Sequence, residues 1–340
     1  MFKAKHWGVA AAMMLVAFGA MASNFRVADQ VYIPIAGHIQ GGASLFVSDI
    51  FISNLSSDQV QVSIIYGPQN TPGAQFRTFQ NRITLGANER KEFIDFFPTV
   101  LPEISSPFGM LVFNGCKSNS TTQCQPDPVN GENADFRPIS VESRIYAIGV
   151  GANPATAASN GQDMPGIPWY NFVSSTESSA GLSKVFITGF RSNTGYRGNL
   201  GVVNASQFSR TQIIATLRDG ATGAQIGNQK VFDLAPLTFE QPNIAGAFGA
   251  VGSGTNLYVE VEQGVSTPTG DAASNGCENG CPAFLAFGSL LDNQTTDPTT
   301  LEAQYTKALN TLQIACIYSP ADASCSLKVG AKPLHRAVKH

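Results

Sequence analysis

Charge is scarce in this chain: only 13% of its 340 residues are Asp, Glu, Lys or Arg, about half the share usual in soluble domains. Helical surfaces are ordinarily covered by charged side chains, so the shortage excludes a mainly helical protein and leaves Ser, Thr, Asn, Gln and Gly as the surface cover. The 21 cations against 24 anions give a net charge of −3 with interspersed signs. No field of that kind steers a polyanion, which excludes nucleic acid as a partner.

Histidine is nearly absent too. Of the four, His6 lies in the leader and His335 and His340 in the terminal tail, so His38 stands alone in the body. One imidazole without a local partner excludes a serine-hydrolase triad and a zinc site as readable from spacing. No Gly-x-Ser-x-Gly elbow, phosphate loop or dinucleotide fingerprint occurs. Carboxylate pairs are the one enzymatic chemistry left. Glu89, Glu92 and Asp95 read as a polar strand edge, and Asp127, Glu132 and Asp135 as an acidic loop with oxygen ligands suited to calcium, though without EF-hand spacing. The expectation is a non-enzymatic protein with no cofactor. Apolar residues, by contrast, are plentiful at 43%, enough for a sizeable core, which excludes disorder.

Residues 1–22 have a basic start (Lys3, Lys5), an apolar run from Gly8 to Met21, and the ending Ala20-Met21-Ala22. This predicts an export signal peptide cleaved before Ser23. The run is too short to span a bilayer, which needs about 20 apolar residues, and no other segment approaches that length, so no transmembrane segment is expected. The mature chain is expected in the periplasm, at the cell surface or outside the cell.

All six cysteines, Cys116, Cys124, Cys277, Cys281, Cys316 and Cys325, lie in the mature part. An even count in an exported protein points to disulfides, and six cysteines allow 15 connectivities. The spacing suggests three local bridges, Cys116–Cys124, Cys277–Cys281 and Cys316–Cys325. Zinc is disfavoured because no His neighbours any pair.

The body repeats itself. Ser48-Asp-Ile-Phe-Ile-Ser-Asn54-Leu-Ser56 aligns with Gly198-Asn-Leu-Gly-Val-Val-Asn204-Ala-Ser206, a displacement of 150 residues. The stretches Val60–Tyr66 and Gln212–Arg218, Gly109–Asn114 and Asn256–Val261, and Val141–Ala147 and Phe284–Ser289 follow in the same order. An ordered series of this kind indicates a tandem duplication. Period-two alternation, as in Val60, Val62 and Ile64 against Gln61 and Ser63, marks strands with one buried face, and Gly-rich turns separate them. The fold class is therefore all-β: two tandem antiparallel β-sandwiches of immunoglobulin-like type over residues 25–165 and 166–298, with a C-terminal tail at 299–340. Asn54 and Asn204 close equivalent strands, where an Asn side chain caps the backbone. The sequons at Asn54, Asn119, Asn204 and Asn293 are read as coincidental.

The join, Gly149 to Ser183, holds Trp169 beside Tyr170. Two readings stand: burial where the halves meet, or a stacking platform for a sugar together with Tyr196. In the tail, Leu301, Tyr305, Leu309 and Leu312 share one helical face and predict a short amphipathic helix. Lys328, Lys332, Arg336 and Lys339 then make the end basic, either a solvated terminus or a tether to anionic envelope polymers.

The segment Tyr196-Arg-Gly-Asn-Leu-Gly-Val-Val-Asn204, with Thr216-Leu-Arg-Asp219 after it, resembles secreted bacterial proteins carrying repeats of the type Phe-Arg-Thr-Asn-Leu-Gly-Leu-Val-Asn. The resemblance covers about 270 residues and implies tandem sandwich modules without assigned catalysis. The first half has Val47-Ser-Asp where the repeat has Arg-x-Asn, and no functional residue carries over. The functional expectation is a structural or interaction protein of the cell surface or extracellular space, with a protein or glycan partner. A carbohydrate-binding protein using Trp169, Tyr170 and Tyr196, and a self-associating filament subunit, are the alternatives.

Overall fold

A computed structural model describes residues 27–118, 135–157, 159–168, 173–174, 184–207, 209–249, 251, 253–268 and 283–305. In the first half the elements are β1 (Gln30–Gly37), β2 (Ile39–Gly41), β3 (Ser44–Asn54), β4 (Val60–Pro68), β5 (Arg77–Leu85), β6 (Arg90–Phe93), α1 (Phe96–Val100), β7 (Phe108–Lys117), β8 (Ile139–Gly149), β9 (Asn160–Pro165) and β10 (Ile167–Pro168). One sheet runs β10-β1-β7-β4-β5. In the other, β3 pairs with β2, β6 and β8, and β8 with β9. Val60, Val62 and Ile64 of the first sheet and Ile50, Ile52 and Val141 of the second belong to one apolar cluster, all at most 3% exposed. The alternation in the sequence is thus the imprint of two sheets facing one core.

The second half comprises β11 (Val173–Ser174), β12 (Lys184–Ser192), β13 (Tyr196–Asn204), β14 (Ser209–Asp219), β15 (Lys230–Leu234), β16 (Phe239–Glu240), α2 (Ile244–Phe248), β17 (Gly254–Pro268), β18 (Ala283–Asp292) and β19 (Pro298–Tyr305). Its pairings repeat those of the first. β13 pairs with β16 and β18 as β3 does with β6 and β8, β14 with β15 and β17 as β4 does with β5 and β7, and β12 with β17 as β1 does with β7. The two short helices occupy the same place in the succession.

One expectation needs correcting. The stretch from Leu301 is a strand and not a helix as far as Tyr305; residues 306–340, with the rest of the expected helix, lie outside the described residues. β19 pairs through Pro298–Glu302 with β18 and through Ala303–Tyr305 with β12, joining both sheets of the second half. In the first half β9 on β8 and β10 on β1 do the same work. Leu301, Ala303 and Tyr305 also alternate at period two behind Thr299 and Thr300, and open edges on β18 and β12 offered hydrogen bonds that a lone helical turn does not.

Asn54 and Asn204, at the ends of β3 and β13, hold corners in the same way. Asn54 donates from Nδ2 to the carbonyls of Asp58 and Gly86, both at 2.7 Å, and accepts from the Ser56 N–H at 2.9 Å. Asn204 donates to Ser209, Leu234 and Ala235 carbonyls at 2.7, 3.1 and 3.0 Å and accepts from the Ser206 N–H at 3.0 Å. Both are buried, so truncation strands several backbone groups without water. Asn204→Ala is expected to lower unfolding free energy by about 3 kcal/mol, and Asn54→Ala by somewhat less because its surroundings are wetter. Urea titrations of the two variants check this.

The halves do not merely adjoin. The first apolar cluster continues into the second half through Val203, Leu237, Phe239, Leu285 and Phe287, and the Phe108 and Phe239 rings meet edge to face at 5.4 Å. Around this apolar seam runs a polar one. Asn70 donates its N–H to the Phe239 carbonyl at 2.9 Å and its Nδ2 to Glu240 Oε1 at 2.8 Å, and accepts from the Ala235 N–H at 3.2 Å. Gly67 faces the Leu237 carbonyl so closely that a Cβ there would sit 2.0 Å from the oxygen. Gly67→Ala is expected to cost about 1–3 kcal/mol by overpacking, whereas Gly149→Ala, with open space around it, is expected to be near neutral. Denaturation midpoints of the pair test whether the seam is that tight.

Candidate functional site

Of the three candidate aromatics, Trp169 and Tyr170 lie outside the described residues. Tyr196 opens β13, half-buried, and its ring is covered by the Arg191 guanidinium at 4.9 Å. The guanidinium thus covers one face of the Tyr196 ring. Cys116 sits near the end of β7, 4% exposed; Cys124, Cys277, Cys281, Cys316 and Cys325 lie outside the described residues, as do the basic tail and the acidic loop except Asp135.

His38 has a partner that spacing did not reveal. Its Nδ1 lies 2.7 Å from Asp95 Oδ1, 57 positions along the chain. Asp95, left-handed at φ 49° just before α1, donates its N–H to Asp49 Oδ1 at 2.9 Å, and the Tyr146 hydroxyl donates to the same oxygen at 2.8 Å. The Arg144 guanidinium lies 4.6 Å over the Tyr146 ring. Burial pushes the Asp49 carboxyl above its ordinary value despite the N–H, the hydroxyl and the arginine that favour its charge. Burial, with Asp49 as acceptor, also pushes the Tyr146 hydroxyl up. Among the described residues no hydroxyl or thiol is hydrogen-bonded to the His38 ring. These bonds pin the β6–α1 corner to β3 and β8, so the cluster works as a clasp. The acidic trio is split accordingly: Glu89 accepts the Gly86 N–H at 2.5 Å, while Asp95 turns to His38.

The clasp has a pH signature. Because the folded state raises the Asp49 pKa, it binds that proton more readily than the unfolded chain, so this group's contribution to stability is full below about pH 4 and is lost as pH rises through the folded pKa. Asp49→Asn keeps an acceptor for both donors and removes the titration. The stability of Asp49→Asn relative to the parent is expected to increase from pH 4 to pH 7 in paired urea titrations.

Both halves line a cleft of about 510 Å³ at the seam. From the first half come Phe46 of β3, Phe108 of β7, Gln69, and Asn160 and Gln162 of β9. From the second come Arg197 and Asn199 of β13, Gln241, Ser289 and Leu291. Phe46 is 38% exposed although apolar, and its ring lies over Gly41, where a Cβ would meet it at 2.8 Å. The floor is fixed: Ser289 Oγ donates to Gln162 Oε1 at 2.8 Å in a buried bond between the halves. Thr300 Oγ1 donates to the Asp163 carbonyl at 2.6 Å beside it. Arg197 is steadied by donation from Nη1 to Asn293 Oδ1 at 2.7 Å.

Among the described residues no Asp, Glu, His or Cys lines this cleft. Its lining can hold a polar ligand by amides, one guanidinium and apolar walls; Tyr146 lines it too, with its hydroxyl donating to Asp49. Among the described residues no group of three or more His, Cys, Asp or Glu is placed to hold a metal ion, and no helix is long and apolar enough to cross a membrane. The cleft residues are spread from Ile35 to Pro298, so no local motif announced them. Phe46 itself is an ordinary strand residue, paired with Ile39 of β2 and Ala147 of β8.

No family model matches the chain, and no curated protein does. Among solved structures, a Bacteroides uniformis β-glucuronidase 2, covalently bound to cyclophellitol-6-carboxylate aziridine, is 8% identical, with a TM-score of 0.15 over 79% of this chain and 25% of that one. The chain thus spans about a quarter of that protein's length, and a likeness this faint carries no argument about fold or activity.

Proposed function

We propose that the mature chain is an exported, non-enzymatic interaction protein of the bacterial cell surface or extracellular space, built from two tandem sandwich units of immunoglobulin-like type. The observation that carries the reading is the cleft at the seam, walled by both halves, with several amides and no Asp, Glu, His or Cys among the described residues that line it. A duplicated body fused across an apolar seam presents a fixed surface at the join, which suits recognition of a protein or glycan partner. The leader at 1–22, the three local disulfides and the resemblance to secreted repeat proteins fit the same setting, where disulfides persist.

The filament alternative is weaker on the character of the edges. β5, a sheet edge, carries Arg77 and Arg82 with their guanidinium groups 5.1 and 5.2 Å from the Phe79 ring, and a register shift where Asn81 has positive φ. Charged, kinked edges discourage strand addition between copies. Carbohydrate recognition is favoured over it by the amide-rich cleft.

Mature protein beginning at Ser23, incubated with a panel of polysaccharides and esters, is expected to give no turnover. Hydrolysis abolished by Asp95→Asn, in the chain's one His–Asp pair among the described residues, would refute the non-enzymatic reading.

A further inference from the structure

We infer that the cleft at the seam binds a short acidic oligosaccharide, with Phe46 stacking on a sugar ring, the cleft amides meeting hydroxyls, and Arg197 holding a uronate carboxylate. The inference rests on the reading of an exported interaction protein and names the ligand class of its cleft. A volume of about 510 Å³ lies in the range of small-ligand sites and exceeds the needs of a single ion.

Three features of the lining select the chemistry. Gln69 and Gln241 have side-chain amides with no hydrogen-bond partner among the described residues. An amide offers donor and acceptor from one planar group, which matches a hydroxyl that is itself both. A purely apolar ligand would instead strand those groups out of water. Phe46 supplies an exposed aromatic surface beside them, suited to the apolar face of a pyranose. Among the described residues Arg197 is the one charged group in the lining, and no carboxylate lies within ion-pair distance of it. Its planar fork matches a carboxylate with two parallel hydrogen bonds. One cation amid amides suits a ligand with sparse negative charge and not a polyphosphate, which draws on several.

The site is also ready-made. The buried Ser289–Gln162 bond and the Phe108–Phe239 contact hold the two walls together, so little ordering cost falls on binding.

Calorimetric titration of the mature chain with uronate tetrasaccharides (galacturonate, mannuronate, and alternating glucuronate with N-acetylglucosamine), and with maltotetraose as the neutral comparator, tests the proposal. The expected result is saturable one-to-one binding of at least one uronate, with maltotetraose at least about tenfold weaker. Arg197→Gln is expected to erase that preference, lowering uronate affinity about tenfold or more and sparing maltotetraose. Phe46→Ala should weaken both sugars, while Trp169→Phe and Tyr170→Phe bind as the parent does. Thermal midpoints near the parent's identify the variants as folded.

Absence of binding by every uronate overturns the proposal and leaves the broader interaction reading standing. Loss with Trp169→Phe but not Phe46→Ala moves the site elsewhere, and an Arg197→Gln variant that binds uronate like the parent refutes the carboxylate contact. Cleavage of any tetrasaccharide would instead refute the non-enzymatic reading.

Discussion

Phe239 lies edge to face on Phe108 with ring centroids 5.4 Å apart, and the cluster that contains them gathers Leu237, Leu285 and Phe287 from one half and Ile33, Ile64 and Phe113 from the other. Burying such side chains contributes roughly 1.5–3 kcal/mol apiece, a sum that linkers and surface ion pairs do not approach. The two halves are therefore fastened chiefly by shared apolar volume. Asn70 seals the rim with bonds to Phe239, Glu240 and Ala235, so the backbone groups exposed where the halves meet find partners without water. The cleft owes its fixed shape to this arrangement.

The sparse charge is used in the same economical way. Glu260, nearly buried in β17, is held by Lys184 of β12 and by Arg218 of β14 at 2.7 Å. Burial alone would push its carboxyl up, but the two cations outweigh that and hold it below the usual range. The first half answers with Asp49 of β3, His38 between β1 and β2, and Asp95 just before α1. In each half the few ions brace strands or corners, and the lining of the cleft is left to neutral amides and one arginine.

Much of this was legible in the chain. Strand periodicity and the capping role of Asn54 and Asn204 are local signals, and the stretches aligned in the sequence fall on strands that pair alike: Val60–Tyr66 and Gln212–Arg218 on β4 and β14, Gly109–Asn114 and Asn256–Val261 on β7 and β17. What escaped was set at long range. β19 looked helical because Leu301 and Tyr305 fit a period near four, and only the open edges of β18 and β12 made the strand the better choice. His38 and Asp95 stand 57 positions apart, with nothing between them to advertise a pair. The cleft draws single residues from six or more segments, each unremarkable by itself. Asn70, in a turn rich in Gly, Pro and Asn, read as punctuation, whereas its amide joins the halves.

If the seam is continuous core, the halves unfold together. Differential scanning calorimetry of the mature chain measures this directly: one transition is predicted, with calorimetric and van't Hoff enthalpies equal. Two resolved transitions, each accounting for about half of the heat, would contradict the account.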